Sequence, residues 1–115
     1  MEDRFQFRVW KGKENRMVYN VTHLNPLLLD ERINPENKHN VPMQCTGLKD
    51  KNGKLIYEGD IVEDVLMNKF VVSFNKNYLS FLLTNIKNEQ SMVFYPNINI
   101  EVIGNIYEDT KLLQN

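Results

Sequence analysis

Apolar and polar residues alternate with a period of two along most of this chain, and the 3.6-residue period of an amphipathic helix is nearly absent. Phe5, Phe7 and Val9 alternate with Gln6, Arg8 and Trp10, which predicts a half-buried strand with one apolar and one mixed face. Residues 11–15 supply turn chemistry, and Met17, Tyr19 and Val21 then share one face. Residues 1–21 therefore read as an N-terminal β-hairpin. Residues 22–42 break the pattern: three of the four prolines, Pro26, Pro35 and Pro42, fall there, and proline interrupts helices and ladders alike. This segment reads as an irregular excursion with one helical turn near residues 28–33. Its cluster Leu27-Leu28-Leu29 is expected to tuck it onto the body or onto a neighbouring subunit.

Residues 43–115 read as the body. Extended structure resumes at 43–46, and Asp50-Lys51-Asn52-Gly53-Lys54 predicts a hairpin, because Asn-Gly suits turn positions with positive φ. Residues 55–57 are the return strand, Glu58-Gly59-Asp60 a tight corner, and 61–66, 70–74, 78–84 and 91–95 further strands of a meander. Phe70-Val71-Val72-Ser73-Phe74 is apolar on both faces, which predicts a central strand or one covered by another layer or subunit. Ile98, Ile100, Val102 and Ile106 share one parity, and Gly104 interrupts them as a bulge or bend would. The tail at 108–113 allows one helical turn. Short strands at close spacing predict a mainly β domain, a sandwich or a small barrel.

The chain has 115 residues, enough for one domain with one modest core. Lys and Arg number 14 against 15 Asp and Glu, a formal charge of -1, which excludes a generally basic nucleic-acid binder and a polybasic membrane anchor. A single cysteine, Cys45, excludes an internal disulfide framework and suits a reducing compartment. The opening Met1-Glu2-Asp3-Arg4 lacks the apolar run of a signal peptide, and no segment is long enough to span a bilayer, so the expected setting is the cytoplasm. There is no alanine, which removes the best helix former, while asparagine, a turn residue, is abundant.

Three groups of side chains bear on chemistry. The acids Asp50, Glu58, Asp60, Glu63 and Asp64 resemble the raw material of a divalent-metal site, but Asp at a Gly-Asp corner or in a hairpin more simply accepts backbone N–H bonds. His23, His39 and Cys45 are too few and too scattered for a zinc site, and Cys45 suits a small packed hydrophobe. Neither a glycine-rich phosphate loop nor a Gly-x-Ser-x-Gly elbow is present. No cofactor, metal or catalytic residue is assigned, and the balance leans away from an enzyme. Aromatics beside cations remain: Arg8 with Trp10, Lys54 with Tyr57, and Lys69 with Phe70. Such pairs hold single-stranded nucleic acid or fill protein interfaces. Arg8, Trp10 and Tyr57 are thus the candidate surface or interface residues. Asp50, Asn52, Gly53, Gly59, Asp60 and Gly104 are the candidate structural turn residues.

The run Met43-Gln44-Cys45-Thr46-Gly47-Leu48-Lys49-Asp50-Lys51-Asn52-Gly53-Lys54-Leu55-Ile56-Tyr57-Glu58-Gly59-Asp60-Ile61-Val62 closely resembles the signature of the YopX family. Phe7-Arg8-Val9-Trp10 is similar to the family's opening pattern, and Val102-Ile103-Gly104-Asn105-Ile106-Tyr107-Glu108 to its closing one. Val9 and Cys45 stand where the family more often has Ala and Tyr. The resemblance implies one domain over 1–115, with a small SH3-like barrel. It also implies a phage or prophage origin in low-GC Gram-positive bacteria, and self-association. The expected function is a non-enzymatic, homo-oligomeric accessory protein in the bacterial cytoplasm, with host or phage proteins as further partners. The alternative is a weak nucleic-acid-binding module in phage replication or gene control.

Overall fold

The computed structural model describes residues 6–22, 24, 26–96 and 98–114. The chain is mainly β and builds two antiparallel sheets. The first has the order β2-β1-β3-β4, from β1 (Phe7–Lys11), β2 (Arg16–Val21), β3 (Asn40–Lys49) and β4 (Leu55–Tyr57). The second has the order β8-β7-β6-β5-β9, from β5 (Asp60–Asp64), β6 (Lys69–Asn75), β7 (Ser80–Asn85), β8 (Ser91–Val93) and β9 (Ile100–Asn105), and it curls into half a barrel. The N-terminal hairpin is present, with Val9 opposite Val18 and Trp10 opposite Met17. Phe5 lies outside the described residues. Among the described residues no helix is long and apolar enough to cross a membrane.

Local chemistry explains where strands stop. Val65 and Leu66 were expected in a strand but are exposed in a turn, because the Asp64 carboxylate accepts the Leu66 and Asn68 N–H groups and folds the chain back. Tyr78 and Leu79 likewise leave the strand expected over 78–84. The Asn75 side chain accepts from the Asn77 and Tyr78 N–H groups, and Leu79 has φ 51°. The strand expected over 91–95 ends at Val93. At the Asn52-Gly53 hairpin only Gly53 has positive φ. Asp50 accepts from the N–H groups of Asn52 and Lys54, so the turn is built around the aspartate and not around the Asn-Gly pair.

The excursion docks on the first sheet. A single turn α1 (Pro26–Leu29) and a 3₁₀ turn (Pro35–His39) pack together and against β3 and β1. The buried Asn37 amide donates to the carbonyls of Leu27 and Asp30, and Asn40 donates to that of Leu28. The leucine cluster is thus tucked onto the body only in part: Leu28 and Leu29 are half-buried, while Leu27 is 74% exposed. Extended structure begins at Asn40, three residues before the expected position 43, and Pro42 lies inside β3. The Cys45 N–H donates to the Gln6 carbonyl and the Gln44 carbonyl accepts the Glu58 N–H, so alternation turns the Pro42 nitrogen away from β1, where no ladder bond is lost. β6 is central, between β5 and β7. Its inward Val72 joins Ile56, Val62, Leu83, Phe94 and Ile100 in the core, each fully buried side chain contributing about 1.5–3 kcal/mol.

Candidate functional site

The two sheets meet at Arg8. Strand parity places Arg8 on the face expected to be mixed, yet it is only 2% exposed, because that face is covered by the second sheet. Its Nη1 pairs with Asp60 Oδ1 at 2.8 Å, and its Nη2 donates to the Glu58 carbonyl at 3.0 Å. The guanidinium lies 4.9 Å from the Tyr57 ring centre and 5.9 Å from that of Tyr19. Its Nε–H is buried without an acceptor. Asp60 Oδ2 accepts the Tyr57 N–H at 2.8 Å, so the aspartate does pin its corner. Burial pushes the Asp60 carboxyl above the usual carboxylate range, against the pull of Arg8 and of that N–H. Burial also pushes the Tyr57 phenol up.

Gly59 makes the corner possible. Its φ is +89°, and a Cβ there would sit 2.9 Å from Met43 Sδ, so only glycine turns here while β3 packs alongside. Gly104 answers a different need. It faces Ile61 at a register break that leaves Ile103 as an extra residue, and the Asp109 carboxylate occupies the space of its missing Cβ, accepting the Asn105 N–H. The bulge expected at Gly104 is therefore present. Asn105, which the sequence reading passed over, accepts from Tyr107 and Glu108 and so aims Tyr107 at Trp10. The two rings stack with centroids 5.5 Å apart. Trp10 is thus covered on one face within the chain, by the C-terminal segment.

Asp50 makes a second bridge between the sheets. Besides its own hairpin it accepts the Val102 N–H at 2.9 Å, and Lys51 N–H donates to the Ile100 carbonyl, so the β3–β4 hairpin covers the free edge of β9. Burial opposes ionisation of Asp50, but N–H donors from Val102, Lys54 and Asn52 hold its carboxyl below the usual range. Asn52 adds a side-chain bond to Glu101.

The other candidates disperse. Glu58 accepts the Gln44 N–H, Glu63 pairs with Lys69, and Cys45 is fully buried, its sulfur accepting the Gly47 N–H. His23 lies outside the described residues. Among the described residues no three His, Cys, Asp or Glu side chains come together to hold a metal ion. Arg8 and Tyr57 are brought together, but both are withdrawn from the open surface where they were expected, while Trp10 stands apart on Tyr107. Beside the Arg8–Tyr57 stack opens a cleft of about 420 Å³, walled by Tyr19 and by Lys49, Lys54 and Leu55 of the hairpin. Tyr19 and Lys49 had given no signal, because their proximity follows from pairing across the sheet and not from spacing.

No curated protein sequence matches this one significantly. Among solved structures, the crystal structure of protein EF1440 from Enterococcus faecalis is similar, with TM-score 0.60 and 22% identity over 95% of this chain and 97% of that one, a likeness of fold. The family model described as YopX protein matches residues 6–114. The three segments that carry the resemblance are also those that build the Arg8 junction, the Asp50 bridge and the Trp10–Tyr107 stack. The chain belongs to the YopX family.

Proposed function

We propose that this protein is a non-enzymatic interaction domain that works as a homo-oligomer, joined through the β8 edge of its second sheet. The observation that carries this reading is the state of that edge. All three residues of β8 are exposed, Val93 at 57%, and Tyr95 beyond it is exposed as well. The Phe94 N–H bond to the Phe81 carbonyl brings this strand end beside the β6–β7 turn, where Tyr78 and Leu79 are also exposed. An open sheet edge flanked by apolar side chains is one that soluble proteins ordinarily blunt or cover. Antiparallel pairing of β8 with its copy about a two-fold axis satisfies the free N–H and C=O groups and buries the same patch twice. The work of the molecule is then done by surfaces. In this reading it is a phage- or prophage-encoded accessory protein acting in the bacterial cytoplasm on host or phage proteins.

Light scattering on the full chain tests the joint. The expected result is a concentration-dependent dimer, with Val93→Lys shifting the equilibrium to monomer without lowering the melting temperature. A monomer at every concentration overturns the proposal.

A further inference from the structure

The cleft beside Arg8 is independent of the β8 edge and belongs to no structural duty described above. None of its lining side chains is a carboxylate. Lys49 and Lys54 are exposed, and neither has an ion-pair partner among the described residues, whereas Lys11, Lys51 and Lys69 each have one. The Arg8 charge is matched by Asp60 beneath it, and the field of Lys54 reaches the buried Asp50 and Asp60 carboxylates, but neither ammonium group is closed off by a direct ion pair. Their flexible stems rise from either side of the hairpin, a geometry that closes on a doubly charged anion. The adjoining wall is aromatic. Tyr57 and Tyr19 meet edge to face at 5.9 Å, and Tyr19 is 46% exposed, leaving part of a ring open to stacking. Beneath them the Arg8 Nε–H, on a side chain 97% buried, has no acceptor and adds to the positive potential of the cleft.

We propose that this cleft binds a nucleoside phosphate, with the phosphate between Lys49 and Lys54 and the base against Tyr19. Two sources share this chemistry: a free nucleotide, and one residue of a single strand. Trp10, which the sequence pairs with Arg8, takes no part, because its ring is held on Tyr107.

Amide chemical shifts of the full chain at low salt provide the test, titrated separately with adenosine monophosphate, a ten-residue oligothymidine and inorganic phosphate. The expected result is a saturable shift at Gly53, Lys54 and Leu55. Lys49→Gln/Lys54→Gln should weaken binding roughly tenfold or more while leaving the melting temperature unchanged, since both side chains are exposed. Tyr19→Ala should weaken the nucleotide but not inorganic phosphate, and Trp10→Phe should change neither. Tighter binding of the oligothymidine, falling as salt rises, assigns the site to strands; equal or weaker binding assigns it to free nucleotides. No saturable shift with any of the three, or binding that survives loss of both lysines, overturns the proposal. Neither outcome bears on the oligomeric state.

Discussion

Asp60 and Asp50 both tie one sheet to the other, and they do so in different surroundings. Asp60 sits in the dry junction, 2% exposed, with Arg8 as its counter-ion. Its ionised form is costly there, which is why burial raises its proton affinity in spite of the guanidinium. Asp50 stands nearer the rim and is held by backbone N–H groups from two segments, with no arginine involved. The first linkage is conditional on a second side chain, and the second needs only the backbone. A buried charge therefore makes the junction specific, while the brace at the rim supplies stability at lower risk.

The largest expected effect separates these two. Arg8→Ala leaves Asp60 buried and unpaired and should cost about 3–5 kcal/mol, a large part of the roughly 5–15 kcal/mol available to a small domain. Urea unfolding measures it. Arg8→Met combined with Asp60→Leu should recover most of that loss, since a packed apolar pair needs no counter-ion. A double variant as damaged as the sum of the singles would show that the junction depends on geometry more than on charge.

Asp50→Ala should cost less, about 2–3 kcal/mol, because three N–H donors lose their acceptor and some regain water at the rim. Amide exchange should quicken at Val102 and leave the Arg8 junction protected. Faster exchange throughout would mean that the hairpin and junction form one cooperative unit.

The smallest effect is in pH. Asp50 is held below its unfolded value, so its stabilisation is complete above about pH 4 and is lost as pH falls through the folded value. The stability gap between the protein and Asp50→Asn should therefore narrow in acid. Asp60 is raised, so its charge weakens the fold as pH climbs from about 4 through its folded value, and Asp60→Asn should remove a dependence of opposite sign. Denaturant midpoints between pH 3 and 7 check both slopes.

Much of this architecture was legible in the chain. Alternation marked the N-terminal hairpin, apolar residues on both faces of Phe70–Phe74 marked a central or covered strand, Gly104 marked its bulge, and Asp60 its corner. Strand ends were harder, because apolar runs such as Tyr78-Leu79 look extended until the Asn75 side chain turns them. The site was half legible. Arg8 stood out beside Trp10 and Tyr57 beside Lys54, but alternation tells only that Arg8 lies opposite Val9, not which side the second sheet covers. Asp60 lies 52 positions from Arg8, and Val102 lies 52 from Asp50, so both linkages depend on sheet order. That order places β1 beside β3 across the whole excursion, and no local pattern encodes it.

Pro42 has a consequence for how the molecule avoids filament growth. Beyond the reach of β4, the outward positions of β3 leave a stranger's backbone no donor: the Asn40 N–H goes to the Asn37 carbonyl, the Gln44 N–H to the Glu58 carboxylate, and the ring between them carries none. A segment sliding along that margin meets a gap it cannot zip across. Accretion at this side of the first sheet is thereby discouraged, and the imino acid takes no bond from the ladder with β1.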